Sequence, residues 1–183
     1  MVSLETPICD FGWRAPAFEL PGIDGKTHNL DSVAGQNGTI VMFISNHCPY
    51  VKAIAKRLTE DMKVLQDAGV ESIAIMSNDT DAYPDDSFEN MKKFAADNAF
   101  PFPYVIDETQ KVAKAYDAVC TPDFFGFDRN LGLQYRGRLD DSGRNPSTGN
   151  TKRELVEAML EVANTGKGPE NQIASIGCSI KWR

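Results

Sequence analysis

The stretch that decides the fold is Thr39-Ile-Val-Met-Phe-Ile-Ser-Asn-His-Cys-Pro-Tyr50. Residues 39–45 form a nearly continuous apolar run, which is typical of a strand that is covered on both faces. From Val51 to Asp67 the apolar residues recur at the spacing of an amphipathic helix, and Gly69 follows at its end. The segment therefore predicts a buried strand, a short polar turn and a helix in direct succession.

The rest of the chain continues this alternation of strands and helices. Asp24-Gly25, a strong turn signal, joins residues 18–20 to residues 27–30 and predicts an N-terminal hairpin. The later patterns predict the following further elements: strands at 70–76 and 104–106, helices at 88–98 and 110–116, an antiparallel strand pair at 124–127 and 133–139, and a helix at 151–164. Thr151, with Glu154 three residues later, is interpreted as the cap of that last helix.

These elements predict the α/β class, with a mixed central sheet flanked by helices. A length of 183 residues is typical of one domain. We therefore expect a single domain over residues 1–183, with an N-terminal extension at 1–14 and a C-terminal tail at 165–183.

The composition excludes several classes of function. The net charge of -7 argues against a nucleic-acid partner, which would require a basic face. The sequence contains no run of about 20 apolar residues, so no membrane-spanning helix is expected. The first residues lack the basic and apolar regions of a secretory signal, so we expect a cytoplasmic protein. The 4 cysteines form no Cys-x-x-Cys pair and only 2 histidines are present, so no structural metal site is expected.

Cys48 is the strongest candidate for chemistry. It lies between the predicted strand and the predicted helix, and Pro49 follows it in the first helical turn. The free amide groups and the positive end of the helix dipole stabilise a thiolate at such a position. A thiolate attacks disulfides, sulfenates or peroxides. The alternative interpretation is an inert cysteine buried at the end of a strand.

Several motifs resemble the thioredoxin-like superfamily. Residues 15–20, Ala-Pro-Ala-Phe-Glu-Leu, followed by Asp24-Gly25-Lys26, look like the opening of redoxin and peroxiredoxin domains. Cys48-Pro49-Tyr50-Val51 resembles the Cys-Pro-Tyr-Cys site of glutaredoxins, and Cys120-Thr121-Pro122 resembles the Thr-Pro segment whose proline is cis in this superfamily. The segments at 135–142 and 175–182 narrow the resemblance to the peroxiredoxin-like proteins of the AhpC/TSA or redoxin family.

The resemblance covers nearly the whole chain from about residue 11. It implies a thioredoxin-like three-layer sandwich and a cis bond between Thr121 and Pro122. It also implies that an extended backbone edge lies beside Cys48, where a substrate disulfide can pair as a strand.

The chain departs from the family pattern at the peroxidatic cysteine. That cysteine aligns with the second position of Cys-x-x-Cys, which is Val51 here. The threonine and proline that precede it in peroxiredoxins are replaced by Cys48 and Ile44. The resemblance therefore leaves Cys48 as the first and more exposed cysteine of the pair, which attacks disulfides in this superfamily.

Two cysteines are candidates for the thiol that resolves the intermediate at Cys48. The resemblance implies that the loop before Pro122 abuts the helix that starts after Cys48, so we predict that oxidation links Cys48 to Cys120. Cys178 lies in the tail, which has first to dock unless Trp182 already fixes it, so Cys178 is either a second resolving thiol or part of an apolar anchor. Cys9 is interpreted as a bystander.

The resemblance places the substrate on the following residues: His47, Pro49, Tyr50, Thr121, Pro122 and Arg136. His47 either tunes the thiolate and transfers a proton, or simply lines the surface. Arg136 and Arg138 either approach the thiolate or form salt bridges with Asp140 or Asp141. The acidic loop at 78–86 is interpreted as a helix cap and solvated turn rather than a cation site.

The leading hypothesis is a thiol oxidoreductase that uses Cys48 as its nucleophile, with catalytic candidates Cys120 and Cys178 beside it. The alternatives are an atypical peroxidase that reduces hydroperoxides and a non-catalytic monothiol module that binds glutathione or an Fe–S cluster. The hypothesis requires no cofactor. Its partners would be a small-molecule or protein thiol or disulfide, with thioredoxin or glutathione as reductant, and the protein would be a monomer or homodimer.

Overall fold

The computed structural model describes residues 2–183 and confirms the α/β class with a mixed central sheet. The strands are β1 (Ser3–Glu5), β2 (Glu19–Pro21), β3 (Thr27–Asn29), β4 (Gly38–Phe43), β5 (Val70–Met76), β6 (Tyr104–Ile106), β7 (Cys120–Thr121), β8 (Asp123–Phe127), β9 (Leu133–Tyr135) and β10 (Ile176–Ser179). The helices are α1 (Leu30–Val33), α2 (Pro49–Asp67), α3 (Phe88–Asp97), α4 (Lys111–Ala115) and α5 (Glu154–Thr165), with a short 3-10 helix at Pro84–Asp86.

Strand β4 lies at the centre of a five-stranded sheet in the order β6-β5-β4-β8-β9. It pairs in parallel with β5 and antiparallel with β8, so the sheet is mixed. Every residue of β4 is buried, because alternate side chains enter two separate cores. Ile40 and Met42 belong to the core that α2 and α5 cover, whereas Val41 and Phe43 belong to the core on the opposite face. The prediction of a strand covered on both faces is confirmed.

The predicted N-terminal hairpin is confirmed as β2 and β3, which pair antiparallel around Gly25. Helix α2 begins at Pro49, directly after Cys48, and the structure confirms the predicted succession of strand, turn and helix. Within residues 2–183, no helix is long and apolar enough to cross a lipid bilayer.

The predicted extension contributes β1 and the predicted tail contributes β10 to a second, three-stranded sheet, which β7 completes in the order β1-β10-β7. Strand β10 pairs antiparallel with both neighbours, so that Cys178 lies opposite Ser3 on one side and Thr121 on the other. The sequence pattern does not predict β10, because its 4 residues, Ile-Gly-Cys-Ser, are too few to show an alternation. The tail is therefore an integral part of the fold.

Ile180, rather than Trp182, anchors this tail. The Ile180 side chain is 3% exposed in the core that also holds Phe43, whereas Trp182 is 43% exposed. Lys181 adds backbone hydrogen bonds, since its N–H donates to Asn78 Oδ1 at 2.9 Å and its carbonyl accepts from the Asp79 N–H at 2.8 Å. The side chain of Trp182, which the sequence offered as a possible anchor, instead lies beside Lys114 at the surface.

Two boundaries differ from the sequence pattern. Helix α5 starts at Glu154 with Arg153 at the N-cap position, so the predicted cap by Thr151 is wrong. The Thr151 hydroxyl instead accepts from the Thr148 N–H at 2.8 Å and lies 2.7 Å from the hydroxyl of Ser142. Strand β9 ends at Tyr135 and not at residue 139.

We predict that Ile180→Ala lowers the free energy of unfolding by about 2–5 kcal/mol, because it removes a buried side chain and leaves a cavity. Trp182→Ala is the matched control at the neighbouring exposed position and should cost less than about 1 kcal/mol. Denaturant unfolding of both variants measures the difference. Equal losses would show that the tail is not anchored through Ile180.

Candidate thiol site

Cys48 occupies the N-cap position of α2, and its side chain is 0% exposed. The first turn of a helix leaves backbone N–H groups without intrahelical partners, which makes this end of α2 favourable for negative charge. The Cys48 sulfur lies 3.1 Å from the carbonyl oxygen of Thr121 and 3.1 Å from the sulfur of Cys178. The expectation of a more exposed cysteine is therefore wrong, because residues of β7 and β10 cover it.

Cys178 is the thiol that the fold brings to Cys48. The two sulfur atoms need to approach by only about 1 Å to reach the length of a disulfide bond. Burial raises the pKa of Cys178 to about 12, and the neighbouring Cys48 sulfur acts in the same direction. At neutral pH Cys178 is therefore protonated and is not the first nucleophile.

Cys120 does not occupy the position that the sequence predicted for it. Because Cys178 pairs with Thr121, Cys120 pairs with Ser179, and successive side chains of a strand point to opposite faces. The Cys120 sulfur instead lies 3.6 Å from the carbonyl oxygen of Pro122, and burial raises its pKa far above the ordinary value. This geometry favours Cys178 over Cys120 as the partner of Cys48, in contrast to the predicted Cys48–Cys120 link.

The Thr121–Pro122 bond is cis, as predicted. The backbone edge beside it is occupied by β10 of the same chain, which passes so close that a Cβ atom at Gly177 would collide with the Thr121 carbonyl oxygen. Only glycine fits there, and nothing in the local sequence pattern indicated this role for Gly177. The Thr121 hydroxyl lies 3.4 Å from that of Ser45, which follows the central strand.

His47 is held by a buried carboxylate that sequence reasoning did not identify. Its Nδ1 lies 2.6 Å from Asp86 Oδ2, and its ring stacks on Tyr83 with centroids 5.6 Å apart. Burial opposes ionisation of Asp86, but hydrogen bonds from His47 and Asn78 outweigh it, so the pKa of Asp86 lies below its usual value. The acidic loop was visible in the sequence, but Asp86 lies 39 residues after His47, so no local pattern predicted that the two side chains pair.

Arg136 and Arg138 do not reach the thiol pair. Arg136 forms a buried ion pair with Asp123 at 3.0 Å, and its guanidinium lies over the ring of Phe125. Arg138 pairs with Glu154 at 2.5 Å. The assignment of Arg136 to the substrate site is therefore corrected, and so is the expected pairing of these arginines with Asp140 or Asp141.

A cavity of about 450 Å³ lies beside the site and offers space for a substrate group. Tyr50 and Pro122 line it together with Ile176, so it borders the segments that carry Cys48, the cis bond and Cys178. The loop at residues 140–145 is also part of the lining. Arg57 on α2 holds this loop, since it pairs with Asp140 at 2.6 Å and donates to the Gly143 carbonyl at 2.7 Å.

Within residues 2–183, no three side chains of the metal-binding types cluster as they would around an ion. Side chains of the acidic loop at 78–86 and of the adjacent Ser87 instead form hydrogen bonds with other groups of the protein. Asp86 binds His47 and Asn78, and the Ser87 hydroxyl caps α3 by accepting from the Asn90 N–H. Cys9 is partly buried, and burial raises its pKa to about 11.

We predict that Arg136→Met lowers the free energy of unfolding by about 3–5 kcal/mol, because it leaves the Asp123 carboxylate buried without its partner. The double variant with Asp123→Asn should recover most of this loss, since the asparagine oxygen can still accept from the Val119 N–H. Denaturant unfolding checks both. A stable Arg136→Met protein that had lost thiol reactivity would return Arg136 to the site.

Comparison with known proteins shows that this fold recurs in solved structures. A crystal structure of an uncharacterised conserved protein from Geobacillus kaustophilus matches with a TM-score of 0.91 and 47% identity, covering 100% of this chain and 97% of that one. The crystal structure of a hypothetical protein from Sinorhizobium meliloti matches with a TM-score of 0.89 and 35% identity, covering 100% of this chain and 99% of that one.

More distant matches have named activities. The thiol-disulfide oxidoreductase ResA of Geobacillus thermodenitrificans is 29% identical over 119 residues, which span 65% of this chain and 64% of that protein. Peroxidoxin BcpB from Mycobacterium tuberculosis shares the fold at 16% identity, with a TM-score of 0.61 over 84% of this chain and 96% of that one. The family model described as AhpC/TSA matches residues 11–136, and the chain therefore belongs to the AhpC/TSA family, with a thioredoxin-like fold.

Proposed function

We propose that this protein is a thiol-disulfide oxidoreductase in which Cys48 is the nucleophile and Cys178 is the resolving thiol. The observation that carries the proposal is the 3.1 Å contact between the two sulfur atoms at the N-terminus of α2. The second cysteine of a Cys-x-x-Cys pair is replaced by Val51. A cysteine 130 positions along the chain supplies a nearby thiol instead.

The cycle needs two exchange steps. The Cys48 thiolate attacks one sulfur of a substrate disulfide, forms a mixed disulfide and releases the other half as a thiolate. Cys178 then loses its proton and attacks the Cys48 sulfur, which forms the Cys48–Cys178 disulfide and releases the second substrate thiolate. The released thiolates take up the protons, and an external dithiol or two molecules of a monothiol such as glutathione reduce the protein again.

The roles of the two cysteines follow from their surroundings. Cys178 is protonated at neutral pH because burial raises its pKa. It therefore does not attack the substrate first and reacts only after the mixed disulfide has formed at Cys48. The N-terminus of α2 stabilises developing negative charge on the sulfur of Cys48. The similarity to ResA supports thiol or disulfide substrates, and reduced thiols persist in the cytoplasm, where we place the protein.

Access to the buried pair requires a local opening. Both sulfur atoms are covered, but the cavity lined by Tyr50, Pro122 and Ile176 adjoins the segments that cover them. Strand β1, which holds the outer edge of β10, is only 3 residues long and exposed. We infer that the outer strands shift when a substrate disulfide approaches from this cavity.

We predict that Cys48→Ser abolishes reduction of a small disulfide such as oxidised glutathione, whereas Cys178→Ser traps a mixed disulfide at Cys48. Cys120→Ser is the matched control, because Cys120 is equally buried but lies on the opposite face of β7. Intact-protein mass spectrometry and peptide mapping distinguish the three variants. A Cys48–Cys120 peptide in the oxidised protein, or unchanged exchange in Cys48→Ser, would contradict the proposal.

We predict slow oxidation by hydrogen peroxide. Among residues 2–183, no arginine is bonded to the Cys48 sulfur, since Arg136 and Arg138 pair with carboxylates elsewhere. The departing oxygen of the peroxide therefore lacks an arginine donor when the thiolate and hydrogen peroxide form sulfenic acid and hydroxide. Stopped-flow measurement should give a rate no faster than that of free cysteine at the same pH. A much faster reaction would favour a peroxidase.

A further inference from the structure

Asp86 accepts hydrogen bonds from Asn46 and His47, which precede Cys48, and from Asn78. Its carboxylate is 0% exposed, and Oδ1 accepts from the backbone N–H groups of Asn46 at 2.8 Å and His47 at 3.2 Å. Oδ2 accepts from His47 Nδ1 at 2.6 Å and from Asn78 Nδ2 at 2.8 Å. These contacts fix the two residues that immediately precede Cys48.

The same network continues to the strand that carries the second thiol. Asn78 binds Asp86 through its amide nitrogen, and its amide oxygen accepts from the backbone N–H of Lys181 at 2.9 Å. Lys181 lies three residues after Cys178. One carboxylate and one amide side chain therefore connect the segment before Cys48 to the segment after Cys178.

The contacts also select one form of the histidine ring. An ionised carboxylate only accepts hydrogen bonds, so the Nδ1 atom of His47 carries the proton. The second ring nitrogen, Nε2, is then the one that can accept a proton. The stacked ring of Tyr83 holds the imidazole in this orientation.

We propose that Asp86 is a positioning residue that holds Cys48 and Cys178 in register for disulfide formation, acting through Asn78 on one side and through the backbone of Asn46 and His47 on the other. This inference rests on the proposed function, since it concerns the same pair of thiols. Asp86 contacts neither sulfur. Its effect is to keep the two thiols close before they react, which raises their effective concentration.

The test is the equilibrium between the dithiol and disulfide forms in glutathione buffers, measured by acid quenching and peptide mapping of the Cys48–Cys178 disulfide. One oxidised glutathione is consumed and two reduced molecules are formed for each disulfide made. We expect Asp86→Ala and Asn78→Ala each to lower the equilibrium constant for the protein disulfide at least tenfold. That change corresponds to a rise of about 30 mV in the reduction potential. Asp86→Asn, which retains one acceptor oxygen, should lie between these variants and the wild type.

Asp107→Ala is the matched control. Asp107 is also 0% exposed, and it accepts from Ala113 N–H at 2.9 Å and Ser77 Oγ at 3.2 Å without binding the segment before Cys48. It should leave the equilibrium within threefold of the wild type even where thermal stability falls. If Asp86→Ala does not fold, Asn78→Ala and Asp86→Asn decide the result.

The outcomes separate this inference from the proposed function. Absence of a Cys48–Cys178 disulfide in the wild-type protein would overturn both. A wild-type disulfide with an unchanged equilibrium in the Asp86 and Asn78 variants would overturn only the positioning role. An equal shift in Asp107→Ala would also overturn it, because the effect would then be general destabilisation.

Discussion

The antiparallel pairing of β10 with Cys120–Thr121 is the constraint on which the thiol site depends. It places Cys178 opposite Thr121, so that one strand pair presents a carbonyl oxygen and a second sulfur to Cys48 at the same time. The pairing requires glycine at position 177, because any side chain would collide with the Thr121 carbonyl. It also covers the backbone edge next to the cis bond, which turns an edge suited to an external partner into an internal contact.

Local patterns in the sequence predicted the elements that surround this pairing. The apolar run of β4 and the amphipathic spacing of α2 are strong signals because both elements are long enough to show their period. The junction between these two elements was enough to predict that Cys48 lies at the start of a helix. The cis bond was predicted from the resemblance of residues 120–122 to a Thr-Pro segment, because no pattern of hydrophobicity predicts such a bond.

The partner of Cys48 could not be predicted in this way. Strand β10 is short, and its pairing depends on Ile180 entering a core whose other members come from distant parts of the chain. The same limit applies to charged groups. Asp123 rather than Asp140 pairs with Arg136, and Asp86 rather than solvent binds His47, because each choice depends on which backbone segments the fold brings together.

The connection between the termini and the thiol pair has an energetic consequence. A bond between Cys48 and Cys178 would close a loop across 130 positions, which restricts the unfolded chain and stabilises the folded one by about 5 kcal/mol in the chain-entropy description. Thermodynamic linkage makes this relation reciprocal: folding protects the disulfide from reduction by the same free energy by which the disulfide stabilises the fold. The resistance of the folded protein to heat would then serve as a direct measure of its oxidation state.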